Sequence, residues 1–296
     1  MPLTTITPPF IEAFFDEATN TVSYLVGDPD TRTAAVIDPV LDFDMASGVV
    51  DTRSADRILA FARDQDWHVA MVLETHAHAD HLSAGAIIKA RTGAWIGIGR
   101  HIRDAQRVFG PAFAMTDLKM DGSDFDRLFD EGDAIPLGSL TIGVMHLPGH
   151  TSADVAYRIG DAVFVGDTLF MPDYGTARTD FPGGDARTLY RSIRRLLALP
   201  DETRLFLCHD YKAPGREDYR WETTVGEQRR TNIHVNDSVD EAAFVALREG
   251  RDAALPAPRL LLPSIQVNIR AGRFGAAEPN GVSYLRIPVK WRSAGA

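Results

Sequence analysis

The residues of this 296-residue chain best suited to chemistry are crowded into one run, Thr75-His76-Ala77-His78-Ala79-Asp80-His81. They follow directly on Val69-Ala70-Met71-Val72-Leu73, a continuous apolar stretch that reads as a buried strand. Polar side chains left unpaired at the end of such a strand cost roughly 1–3 kcal/mol each. A divalent metal offsets that cost, because neutral imidazole and carboxylate are its natural ligands. The competing reading is a solvated loop that happens to be rich in histidine. Three more ligand-type residues weigh against it. His150 follows Leu147-Pro148-Gly149, where Gly149 permits a tight turn that aims the imidazole inward. Asp167 follows Val163-Phe164-Val165-Gly166, and His209 follows Leu205-Phe206-Leu207-Cys208. A lone histidine after a strand reads as structural. A set of ligand types, each just beyond an apolar run, lies where α/β-type folds build their sites.

The elements that must position these residues are legible in outline. Val22-Ser23-Tyr24-Leu25-Val26, a Gly27-Asp28-Pro29-Asp30 turn and Ala34-Ala35-Val36-Ile37 predict a hairpin. Apolar spacing predicts helices over 54–63, 83–91 and 185–199, the last ended by Pro200. Strands are predicted over 94–98, 140–147, 155–159, 163–165 and 204–208. Hairpins and meanders mixed with β–α units argue against a simple doubly wound parallel sheet. They favour an α+β fold, two mixed sheets sandwiched between helices. The main domain is expected over 1–220. Beyond Trp221 the chain turns polar and arginine-rich, then Pro- and Gly-punctuated, so 221–296 reads as a helical segment and tail packed on that domain.

Composition narrows the classes. Apolar residues make up 45% and charged residues 24%, the balance of a protein with a sizeable core. The 31 Lys+Arg against 41 Asp+Glu give a net charge of −10, which disfavours nucleic acid and anionic membranes as partners. The single cysteine, Cys208, excludes an internal disulfide, a Cys-based zinc site and a self-contained iron–sulfur cluster, and reads as a small buried hydrophobe. The first twenty residues lack a basic segment followed by an apolar core, and no apolar run approaches membrane-spanning length. The expectation is a cytoplasmic protein. Gly97-Ile98-Gly99 lacks the third glycine of a dinucleotide fingerprint and reads as a turn. His68, His101, His146 and His234 have no assignable partner.

In its order, His76-x-His78-x-Asp80-His81, then His150, Asp167 and His209, the ligand series resembles the metallo-β-lactamase superfamily over about residues 10–220. The resemblance implies an αββα sandwich with the metal site at the open edge of the two sheets. The run 173–184, with Arg178-Thr179-Asp180-Phe181 at its core, resembles persulfide dioxygenases, as does Cys208-His209-Asp210-Tyr211. Residues 223–232 resemble a helix shared with glyoxalase II, and the tail fits the longer bacterial, β-lactamase-like branch. Thr176-Ala177 stands where many relatives carry Cys-Gly, a departure that touches the substrate pocket and not the ligands.

This resemblance implies one Fe(II) per chain held by His76, His150 and Asp167. A facial set of two histidines and one carboxylate leaves positions open for O2 and a substrate. The implied reaction converts glutathione persulfide and O2 to sulfite and glutathione, in sulfide detoxification. His78, Asp80, His81 and His209 would support the ligands, with Asp80 orienting an imidazole, and Arg178 and Tyr211 would contact glutathione. The alternative is a hydrolase with one or two Zn(II) ions, Asp80, His81 and His209 completing a second site bridged by Asp167. Its substrate would be a thioester or lactone. Relatives of this kind are commonly dimers, so a homodimer is expected.

Overall fold

Alternation of side chains across extended backbone sets the layers of this protein. The structure, a computed structural model, describes residues 8–289 and 291; the first and last residues of the predicted domain and tail lie outside them. β1 (Phe10–Asp16), β2 (Thr21–Asp28) and β3 (Thr33–Ile37) form an antiparallel meander. The hairpin β4 (Val40–Asp44) and β5 (Val49–Asp51) precedes α1 (Arg53–Asp64), which crosses to β6 (His68–Glu74), parallel to β3. β7 (Leu82–Ser83) pairs with β4, and α2 (Gly85–Thr92) leads to β8 (Trp95–Gly99), parallel to β6. α3 (Ile102–Ala112) then leads to β9 (Arg127–Phe129), giving a first sheet ordered β1-β2-β3-β6-β8-β9.

The second sheet runs antiparallel through β10 (Ala134–Leu137), β11 (Leu140–His146), β12 (Val155–Ile159) and β13 (Ala162–Phe164). α4 (Ala186–Leu196) returns the chain to β14 (Arg204–Phe206), parallel to β13, and β15 (Glu222–Thr224) closes the edge. The helices α5 (Val225–Thr231), α6 (Glu241–Asp252) and α7 (Leu261–Asn268) follow.

Tyr24, Ile37 and Leu73 of the first sheet meet Tyr157, Phe164 and Phe206 of the second in the core between them. Their neighbours point outward. Leu25, Val36 and Val72 pack on Ile58, Ile88 and Ile265 from α1, α2 and α7. Val163 and Leu205 pack on Leu189, Val225 and Phe244 from α4, α5 and α6. The order is helices, sheet, sheet, helices, as the mixed strand pattern predicts. β6 is buried on both faces between two parallel neighbours, which explains its unbroken apolar run. Among the described residues no helix is long and apolar enough to cross a membrane.

Several local readings shift. The predicted helix at 83–91 begins at Gly85, because Leu82 and Ser83 pair as β7 with Val40 and Leu41. The helix predicted to 199 ends at Leu196. Gly97-Ile98-Gly99 is strand and not turn: a Cβ on Gly97 would sit 2.5 Å from the Phe129 ring, so glycine there permits close packing. β1 escapes the alternation rule because every residue of it is half-buried.

Phe164 lies 5.0 Å from both Tyr24 and Phe206, ring centre to ring centre. Phe164→Ala should therefore cost about 3–5 kcal/mol, read from the shift in urea midpoint at unchanged m-value.

Candidate metal centre and substrate cavity

The ligand-type residues converge where β6, β11, β13 and β14 end. His76 Nε2 and His150 Nε2 lie 3.8 and 3.5 Å from Asp167 Oδ2. The candidate ligand atoms of these three buried residues all lie within 4.8 Å of one another. Asp167 Oδ1 lies 3.2 Å from His209 Nε2, itself 3.2 Å from Asp80 Oδ2. A second group, His78, Asp80 and His81, is equally compact. Gly149 turns the chain into His150 at φ 144°, and a Cβ there would strike the Leu189 backbone at 2.3 Å.

The atoms aimed inward lack other partners. Nε2 of His76, His81 and His209, both ring nitrogens of His78, and one oxygen each of Asp80 and Asp167 are buried without an aligned hydrogen bond. The opposite nitrogens of the other imidazoles are anchored. Nδ1–H donates to Arg178 O in His150 (2.8 Å), to Leu82 O in His81 (3.0 Å) and to Asn20 O in His209 (3.2 Å). His76 Nδ1 lies 3.1 Å from Thr75 Oγ1, whose proton goes to Asp38. Anchoring one nitrogen fixes the tautomer and presents the other as a lone pair. This donor set fits one or two divalent ions.

Electrostatics favour a lone-pair donor at His76 and His78 and the protonated form at His209. Burial, and then neighbouring imidazoles, hold His76 and His78 well below the usual histidine range, so both are neutral. Burial also opposes charge on His209, yet Asp80 and Asp167 raise its pKa to about 10. Burial favours the neutral acid at Asp167, but the imidazoles of His209, His76 and His150 hold it well below the carboxylate range.

Sequence reading missed the supports. The carboxylate nearest His78 is Asp38, whose oxygen lies 2.9 Å from Nε2 without hydrogen-bond alignment, whereas Asp80 faces His209. Asp38 also accepts the Thr75 amide. It follows the apolar end of β3 just as Asp167 follows that of β13, so the same signature marks it. Glu74 is buried, its pKa pushed well up by desolvation and then by Asp38, and it accepts the Ser83 hydroxyl. Asn268, at the end of α7, clasps the ligand run: Nδ2 donates to His78 O (2.8 Å) and His81 O (2.7 Å), and Oδ1 accepts Ser83 N–H (2.8 Å). Cys208 is buried, its thiol 3.8 Å from Asp38.

A cavity of about 340 Å³ opens beside His150 and Asp167. Tyr211 and Arg178 both line it. The Arg178 guanidinium is committed, however, to both Asp180 oxygens (2.6 and 2.7 Å) and to Pro256 O (2.7 Å). Two other lining cations, Arg251 and Arg259, form no ion pair among the described residues. They come from the arginine-rich stretch after Trp221, whose place over the site no local pattern revealed. The buried Arg248–Asp252 pair ties α6 to this wall, through Thr176 O and both donors of Thr179. His234 does have a partner: its Nδ1 accepts Thr176 N–H at 3.1 Å. His101 and His146 stack at 4.7 Å on the surface side.

A buried imidazole–carboxylate centre at the rim of two sheets between helical layers defines a metal-site αββα protein. The chain belongs to the metallo-β-lactamase superfamily, whose family model matches residues 17–209. It is 52% identical to a probable metallo-hydrolase of Burkholderia pseudomallei, over 94% of this chain and 98% of that one. It is 50% identical to the β-lactamase hydrolase-like protein of Xylella fastidiosa, covering 96% of this chain but 65% of that longer one. The mitochondrial persulfide dioxygenase ETHE1 of Homo sapiens is 26% identical over 90% of this chain and 89% of its own. The crystal structure of ETHE1 from Myxococcus xanthus superposes with a TM-score of 0.72 at 32% identity, over 89% of this chain and all of that one.

Asn268→Ala strands the Ser83 amide and two carbonyls, so a loss of about 1–3 kcal/mol per stranded group is expected, together with reduced metal content per chain on chelator titration. His234 gives a pH signature. Burial, then Arg251 and Arg248, depress its pKa to about 4 from about 6.5 when unfolded. The fold favours its neutral form, so this contribution is complete above pH 6.5 and fades as pH falls toward 4. Between those values Tm should fall more steeply in wild type than in His234→Gln.

Proposed function

We propose that this protein is a persulfide dioxygenase acting on a carboxylate-bearing thiol persulfide, with glutathione persulfide as the first candidate. The observation that carries the reading is the compact His76–His150–Asp167 group opening onto a cavity lined by the unpaired cations Arg251 and Arg259. The likeness to ETHE1 from Myxococcus xanthus along that protein's whole length supports it. The overall reaction is RSSH + O2 + H2O → RSH + H2SO3, in which the outer sulfur is oxidised, O2 is reduced and the thiol leaves as RSH.

His76, His150 and Asp167 would hold one Fe(II), which when bound supplies redox chemistry between the persulfide and O2. The rest is the work of the chain. Arg251 and Arg259 offer charge-assisted hydrogen bonds to the carboxylates of the thiol carrier. Tyr211, packed on His209 and Tyr174, gives a rigid wall that excludes water. Arg178, neutralised by Asp180, positions His150 through its carbonyl oxygen and not its charge.

A second reading, a dinuclear zinc hydrolase of a thioester or lactone, draws on the His78–Asp80–His81 group and on the printed name of the Burkholderia relative. Iron-loaded protein in an oxygen electrode separates the two. Glutathione persulfide should drive rapid O2 uptake with sulfite formed, abolished in His76→Ala. No uptake at one iron per chain would sink the dioxygenase for that carrier and bring thioester and lactone hydrolysis with zinc to the front. Arg251→Ala should raise KM for the persulfide about tenfold, roughly 1.4 kcal/mol, with kcat little changed.

A further inference from the structure

A second, smaller cavity of about 20 Å³ shares His150, Ala79 and Phe181 with the large one. Its remaining apolar wall includes Ala77 from the ligand run, Ala105 and Phe109 from α3, and Ile265 from α7. Polar groups are few. Thr151 contributes to the edge, but its hydroxyl is committed to Asp154 at 2.6 Å. A buried water needs room of about 10–15 Å³ and two to four polar partners. This cavity has the room, and beyond the His150, Thr151 and Ser152 side chains its lining is alanine, phenylalanine, proline and isoleucine, so its fitting guest is a small apolar molecule. The ring of Phe181 stands edge-on to His150, centroids 5.3 Å apart at 89°, and with the Ala79 methyl forms the shared wall.

We propose that this cavity is an entry and holding site for dioxygen, separate from the cavity that takes the thiol. The inference rests on the dioxygenase reading and adds a route to it. Once a persulfide carrier fills the arginine-lined cavity, that mouth is closed to a second reactant. The apolar cavity reaches His150 from between α3 and α7, without crossing the carrier's place. An apolar diatomic leaves water for such surroundings favourably.

Xenon, an apolar probe of similar size, tests the site without turnover. Crystals pressurised with xenon should hold it between Ala105, Phe109 and Phe181; an empty cavity overturns the inference. Ala105→Leu fills the space from a half-buried position on α3. It should raise KM for O2 at least about fivefold, a change near 1 kcal/mol, while KM for the persulfide stays within about twofold. Should the larger side chain prevent folding, Ala105→Ser adds a polar partner at nearly the same volume and should lower xenon occupancy and raise KM for O2. An active variant with unchanged KM for O2 overturns the cavity's role alone. Wild-type protein that consumes no O2 with any thiol persulfide overturns the functional reading beneath it, whatever xenon does.

Discussion

The constraint on which the structure depends is the cost of hiding polar atoms from water with nothing to bond them. At the rim of the two sheets, imidazole nitrogens and carboxylate oxygens from four strand ends face one another, buried and unaligned for hydrogen bonds. Most other polar groups around them are satisfied. The far nitrogens of His76, His81, His150 and His209 find carbonyls or a hydroxyl, and the Thr75 amide finds Asp38. The contrast between satisfied supports and orphaned centre is the mark of a site that waits on a cation.

The sandwich exists to make that arrangement affordable. β6, β13 and β14 are largely apolar and buried, so each delivers its chain to the rim in a fixed direction. The residue after each strand then has little choice of place. Helices on both outer faces remove the remaining apolar surface from water and leave the rim as the place where polar chemistry can collect.

This division explains what the sequence disclosed. The candidate ligands were legible because each is a polar residue set just past an apolar run, a local pattern. Asp38 carries the same pattern at the end of β3. Asn268, Arg251 and Arg259 could not be read this way. Their roles arise from contacts across most of the chain, and helical periodicity says nothing about what lies across from a helix end. The charge on Arg178 was legible while its neutralisation by Asp180 was not, since adjacent residues can equally face apart. Secondary structure failed where tertiary demand overrode pattern, as at Ser83, whose amide and hydroxyl are claimed by Asn268 and Glu74 before a helix can use them.

The clasp by Asn268 also orders events in time. It bonds to carbonyls 187 and 190 residues earlier in the chain. A ribosome releases the ligand run long before it releases its fastener, so the nascent sandwich carries an unfastened rim until α7 emerges. A product interrupted before α7 would keep the histidine run and lack its clasp.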